Sequence, residues 1–180
     1  MKSPSGRLLL DRPTADDLDA VFAIESDPRV WTHFPSLRVT DIDRCAAALA
    51  RWIDEWQRDG VGRWIVRLAE TGEVVGYAGC ALRSDVFWNL GYRFSADHHG
   101  HGYATEVSAA SIELARRIRP GAPVVAYLVE HNVASAAVAE KVGLTLQHRA
   151  PDAGNPDPEV MRLVYADRPL TDIELAATLA

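Results

Sequence analysis

The segment Ser95-Ala96-Asp97-His98-His99-Gly100-His101-Gly102-Tyr103 constrains this chain more than any other. Before it runs Val86 to Phe94, with Trp88, Leu90, Tyr92 and Phe94 at strand spacing. After it comes a helical pattern to about Arg117, carried by Val107, Ile112, Leu114 and Ile118. Pro120-Gly121 breaks that helix, and Pro123 to Glu130 is a β run of Val124, Val125, Tyr127 and Val129. A strand, a crossover helix and a next strand force parallel pairing, normally right-handed. The two glycines let the turn bring its backbone close to a ligand. Free N–H groups at the helix start, with the helix dipole, make an anion site suited to phosphate or pyrophosphate. The turn is not a nucleotide P-loop, because no Lys-Ser/Thr follows the second glycine, and it lacks the third spaced glycine of the dinucleotide fingerprint. The plain alternative is a Gly-rich turn with no ligand.

The rest of the chain supplies the surrounding layers. Arg7 to Arg12 is a short strand, and Pro13-Thr14 opens a helix with a capping-box pair, Thr14 and Asp17, that ends at Asp27-Pro28. Asp41 to Arg58 is the clearest helix. Ile42, Cys45, Leu49, Trp52, Ile53 and Trp56 keep one apolar face, with Asp43, Arg44, Arg51, Asp54, Glu55 and Arg58 toward water. Arg63 to Glu70 and Glu73 to Leu82 read as strands joined by a Thr71-Gly72 hairpin, and with Val86 to Phe94 they form an antiparallel meander. Asn132 to Val142 is a short helix stopped by Gly143. Gly143 to Arg149 and Glu159 to Tyr165 are two further strands around a loop, Pro151 to Pro158, and the tail from Asp167 adds a terminal helix. The sum is an α+β fold with a mixed sheet and about four helices.

At 180 residues and 48% hydrophobic, residues 1–180 fit one domain, with a core of about 6–165 and a tail of 166–180. A chain of this size needs no disulfide or metal staple. Cys45 and Cys80 read as small buried hydrophobes. With 19 Lys+Arg against 25 Asp+Glu, the net charge of −6 excludes a nucleic-acid track. It does not count against an anion held by backbone amides, and it favours a cationic amine as partner. Met1 to Arg7 has no apolar core, and no apolar stretch approaches the ~18 residues of a membrane span. The expectation is a cytoplasmic protein with no membrane partner.

Gly100-His101-Gly102-Tyr103-Ala104-Thr105-Glu106 resembles the pyrophosphate loop of the GNAT acyltransferase superfamily, in the branch that acetylates ribosomal-protein N-termini. Gly91-Tyr92-Arg93-Phe94 is similar to the Gly-Tyr that precedes that loop. Asn132-Val133-Ala134-Ser135 with Glu140-Lys141-Val142-Gly143-Leu144 resembles the branch's Asn-x-x-Ser and Glu-Lys-x-Gly-Phe. The likeness spans roughly residues 6 to 165 in matching element order. It implies the GNAT fold, a parallel strand pair that splays open, and an N-acetyltransferase using acetyl-CoA without a metal.

The resemblance also implies residue roles. His99, Gly100, His101, Gly102, Tyr103, Ala104 and Thr105 would hold the pyrophosphate. Pantetheine would pair with the strand edge near Phe94, Ser95 and Ala96, with a backbone N–H of Phe94 or Ser95 as oxyanion donor. Asn132 and Ser135 would line the thiol end, Ser135 protonating the leaving thiolate; alternatively Asn132 is an N-cap and Ser135 a small helix residue. Many GNAT enzymes carry a Tyr acid where this chain has Ala139, and the branch often has an acid where it has Asn89. Glu130, His131 and Tyr165 are the candidate proton acceptors. Trp31, His33 and Phe34 would wall the amine acceptor, a small molecule or a protein N-terminus, or else cap the core; Asp152 and Asp157 would draw in a cation. His98, His99 and His101 invite a metal reading, against which no Cys or acidic ligand accompanies them. Homodimers are common among such enzymes. The alternative function is a catalytically weak acyl-CoA-binding protein of the same fold.

Overall fold

A computed structural model describes residues 1–153 and 155–179; Gly154 and Ala180, which fall in the expected loop and tail, lie outside the described residues. The strands are β1 (Leu8–Asp11), β2 (Arg63–Leu68), β3 (Val74–Arg83), β4 (Phe87–Phe94), β5 (Val124–Val129), β6 (Thr145–Pro151) and β7 (Met161–Ala166). The α-helices are α1 (Leu18–Glu25), α2 (Ile42–Asp59), α3 (Tyr103–Ile118), α4 (Val133–Lys141) and α5 (Asp172–Leu179). One sheet runs in the order β1-β2-β3-β4-β5-β7-β6. Every neighbouring pair is antiparallel except β4–β5, which is parallel. This is the GNAT architecture that the sequence led us to expect, and the expected terminal helix is present as α5.

The sheet is covered on both faces. On one, Ile65 and Tyr77 pack under Val21 of α1 and Cys45, Leu49 and Trp52 of α2. On the other, Trp88, Leu90 and Val124 pack under Ile112 and Ala115 of α3 and Ala139 of α4. Both cysteines are buried without a disulfide, and burial pushes their thiols up, to about 11 for Cys45 and about 12 for Cys80. Trp52 and Trp56 are core residues. α2 is framed at both ends: the Asp41 side chain accepts from Asp43 N, and Gly60 closes it at φ 67°. Directly after, the chain crosses β3 so closely that a Cβ on Gly79 would sit 2.2 Å from the Gly62 carbonyl oxygen. Only glycine allows that approach.

One expectation fails on α2. Glu55 belongs to the helix's charged set, yet it is only 5% exposed. Its carboxylate takes Arg83 Nη1 at 3.1 Å and Arg63 Nη1 at 3.4 Å. Helical periodicity sees one helix at a time; here two strands bring arginines over the helix and close off its polar side. Breaking such a pair leaves buried charge uncompensated. Glu55→Ala is therefore expected to cost about 3 kcal/mol in urea unfolding. A cost within about 0.5 kcal/mol would mark a solvated surface residue instead.

Candidate active site

The parallel pair is brief. β4 meets β5 at Trp88↔Val124 and Asn89↔Val125, but the strands continue to Phe94 and Val129. Past Asn89 they diverge, and the β4 edge is left without a partner strand. Its direction follows from two bonds. Trp88 N donates to Pro123 O at 2.9 Å, toward β5, and Ser95 N donates to Val75 O at 2.9 Å, toward β3. Backbone groups alternate along a strand, so the N–H of Phe94 faces the gap with that of Trp88, while the N–H of Ser95 is already spent. Of the two expected oxyanion donors, the geometry leaves Phe94.

A cavity of about 600 Å³ lies at this divergence. One wall is the turn from His98 to Thr105. Gly100 and Gly102 sit at φ 81° and 78°, a left-handed conformation that favours glycine. Gly102 caps α3 with no side-chain cap bond. The backbone N–H groups from Gly100 to Thr105 find no acceptor among the described residues. The turn is held instead by its carbonyls and rings. A carbonyl only accepts, so His99 Nε2 donates to Phe94 O at 3.0 Å and His101 Nδ1 to His99 O at 3.0 Å. Arg7 reaches across, Nη1 to His101 O at 3.3 Å and Nη2 to Glu106 Oε2 at 2.7 Å. Burial alone would raise the Glu106 carboxyl, but hydrogen bonds from Ser3, Ser5 and Arg7 bring it down to about 2.

A second wall is the start of α4. Asn132 is its N-cap, its side chain accepting from Ser135 N at 3.1 Å, so Asn132 fixes where Ser135 stands. Tyr92, from β4, donates its hydroxyl to Ser135 O at 3.3 Å, and burial pushes its phenol up, so it stays protonated. Its ring packs against the core cluster that includes Ala139. Tyr92 was not singled out as a site residue in the sequence. The alternation Leu90, Tyr92, Phe94 is a signal that turns it toward the α3–α4 face.

The third wall belongs to the loop after α1. Val30, Thr32 and His33 line it, with Arg93 and His131. His131 Nε2 donates to His33 O at 2.7 Å and ties this loop to the β5–α4 turn. Burial, then the charges of Arg93 and His131, push His33 down to about 4. The remaining candidates lie elsewhere. Trp31 is 7% exposed, gives its indole N–H to Glu25 O at 2.6 Å and carries the Arg93 guanidinium over its ring; it caps the core. Phe34 is half-buried beside the cavity lining, not in it. Glu130 is paired with Arg149 at 2.7 Å, which lowers its carboxyl, and it does not line the cavity. Tyr165 is buried against Glu140, its hydroxyl 3.3 Å from Oε1, also outside the cavity. Asp152 is buried against Arg162 at 2.6 Å, and Asp157 accepts from Glu159 N at 3.0 Å. Pairing accounts for the three carboxylates, Glu130, Asp152 and Asp157: an acidic residue read alone looks available, and folding brings it a cation or an amide. Among the described residues, no three His, Cys, Asp or Glu side chains form a metal ligand set.

A family model described as an acetyltransferase (GNAT) domain matches residues 7–145. YkkB, an uncharacterized protein of Bacillus subtilis (strain 168), is 30% identical over 145 residues, 77% of this chain and 79% of that one. An acetyltransferase from Agrobacterium tumefaciens superposes with a TM-score of 0.71 at 29% identity, over 92% of each chain. RimL, a ribosomal alpha-N-protein acetyltransferase in complex with coenzyme A, superposes with a TM-score of 0.74 at 19% identity, over 89% of this chain and 93% of that one, and so shares the fold.

Two measurements check this geometry. Imidazole NMR should show His33 titrating near 4, well below the ordinary 6.5; a midpoint near 6.5 would mean an exposed ring. Glu106 is lowered from 4.5 to about 2, so its bonds stabilise the fold fully above about 4.5 and are lost as pH falls toward 2. The melting-temperature gap between the native chain and Glu106→Gln should therefore close across that window. A gap that stays constant would refute the pairing.

Proposed function

The chain belongs to the GNAT acetyltransferase family, and on that premise we propose that it transfers an acetyl group from acetyl-CoA to a primary amine by direct attack on the thioester. The observation that carries this reading is the run of unpaired N–H groups from Gly100 to Thr105 beside an unpaired strand edge. Backbone amides at a helix start bind a pyrophosphate. An extended amide chain such as pantetheine adds to the free edge of β4 as a strand would. The turn before α3 and the free edge of β4 are thus suited to the two halves of a coenzyme site.

The reacting end follows from the same edge. Phe94 N–H is the donor for the thioester oxygen as negative charge develops there. The amine nitrogen bonds to the acetyl carbon, the carbon–sulfur bond breaks, the nitrogen gives up a proton and the sulfur takes one. Ser135 Oγ is the donor at the sulfur, and the Tyr92 phenol becomes a second by turning from Ser135 O toward it; Tyr92 comes from β4 and supplies a phenol to a helix that has Ala139 where many relatives have tyrosine. With its Nε2 on His33 O, His131 leaves Nδ1 as the ring nitrogen that can accept the amine's proton. Ser135, the serine that lines the cavity, has no base bonded to its Oγ among the described residues, which supports direct transfer over a covalent intermediate.

Calorimetry with acetyl-CoA and a thiol-release assay over an amine panel test the reading. Acetyl-CoA should bind at micromolar to millimolar concentration and release thiol only with an acceptor. Ser135→Ala and Tyr92→Phe should each lower kcat by about tenfold or more with acetyl-CoA affinity unchanged. Equal loss of both quantities would deny them a role at the sulfur. Binding without thiol release for any amine would leave an acyl-CoA-binding protein.

A further inference from the structure

Strand alternation separates the cavity into two sides. Tyr92 and Phe94 point to the α3–α4 face, where the coenzyme is proposed to lie, and Arg93 between them points to the face of α1 and the loop after it. The cavity's lining contains Arg29, Arg93 and Lys141, and no Asp or Glu among the described residues. These cations are not equivalent. Arg29 is spent, bonded to Asp27 and to Asp97 at 2.7 Å each. Lys141 stands on α4, on the coenzyme side.

Arg93 is different in kind. Its side chain is 15% exposed. A guanidinium offers a planar fork of N–H donors, yet Arg93 makes one hydrogen bond, Nη1 to Val30 O at 2.6 Å, and its buried Nε has none among the described residues. Glu25 offsets part of its charge but lies 3.8 Å from Nε, too far to accept, and that carboxylate already takes the Tyr77 hydroxyl. Trp31, with its ring centroid 3.4 Å from the guanidinium carbon, holds the fork in place from one side. The result is an oriented, underused cation on the acceptor side of the gap. A cationic polyamine would meet repulsion there, and no carboxylate to receive it.

From this we infer that the acceptor is a small primary amine carrying its own oxyanion, a carboxylate or a phosphate-type group, which docks on Arg93 while the amine nitrogen reaches into the gap at Phe94. This rests on the acetyltransferase reading above for the fate of the amine. It differs from the expectation drawn from net charge: Asp27, Asp97 and Glu25 are engaged by Arg29 or stand beside Arg93, and of these five charged groups only the two arginines line the cavity.

The test uses matched amines on the unaltered protein saturated with coenzyme A. Glycine, β-alanine and aminomethylphosphonate are titrated by calorimetry beside glycinamide, β-alaninamide and diethyl aminomethylphosphonate. The anionic member of each pair should bind about tenfold or more tightly, as expected for a charge-assisted fork, and the carboxylate and phosphonate arms separate the two anions. Arg93→Gln should erase the difference and leave acetyl-CoA affinity within about twofold, a comparison valid only if its circular dichroism matches the native chain. Equal or tighter binding of the neutral or polycationic amines, or failure of every anionic amine to bind, overturns the inference. Should acetyl-CoA itself fail to bind, the acetyltransferase reading falls separately. The same pairs titrated into the free protein would then still decide whether Arg93 selects an oxyanion.

Discussion

A parallel strand pair that closes for two residue pairs and then opens is the constraint on which the site depends. A backbone N–H takes an acceptor from the protein, from water or from a ligand. Here donors without a protein acceptor stand in two adjoining places, along the end of β4 and around the solvent-facing turn from Gly100 to Thr105. Elsewhere the sheet is laddered from β1 to β4 and from β5 to β6, with register shifts at Val66/Arg67 and Leu146/His148. Donors left open side by side suit a ligand with acceptors at matching positions. Everything around the gap reads as scaffolding for that edge. Asn132 fixes α4 at one margin, His99 secures the turn to Phe94 O, and Arg7 braces the turn from just before β1.

The parts of this that were legible in the sequence are the parts written in local patterns. Strand spacing from Trp88 to Phe94, the glycine turn, the periodic helix after it and the β run from Val124 together require a parallel crossover. Asn132 before a short helix signals a cap, and Gly143 signals its end. Each of these depends on residues within a few positions of one another, so each survives without knowledge of the tertiary fold. Even Tyr92 faces the helices by simple alternation, although nothing in its neighbours says that α4 will bring Ser135 to its hydroxyl.

What could not be read was pairing between distant charges. Glu55 is assigned to water by its helix and buried by Arg63 and Arg83 from two strands. Glu130 and Asp152 look like available carboxylates until Arg149 and Arg162 are placed beside them. Trp31 looks like a binding aromatic until its indole N–H is traced to Glu25 O. The common cause is that a charged or aromatic side chain is defined by its contacts, and these contacts span from 6 residues, for Trp31, to 28, for Glu55 with Arg83. Net charge is coarse for the same reason. A total of −6 describes the far field, while a cavity of about 600 Å³ responds to the few groups that line it.

The arrangement around Arg93 joins stability to selectivity. Its guanidinium is wedged between the Trp31 ring and the Val30 carbonyl, beside a buried carboxylate shared with Tyr77. Removing the cation would leave Glu25 buried with less compensation, so Arg93 supports the loop that forms the third wall. A residue fixed for that structural reason arrives at the cavity already oriented, having lost its rotamer freedom during folding rather than at binding. Preorganisation of this kind lets even a small anion be held effectively, because little entropy remains to be lost when it docks. Burial first, and the Arg93 charge second, push the neighbouring His33 down, so that its ring adds no second cation at this margin of the cavity.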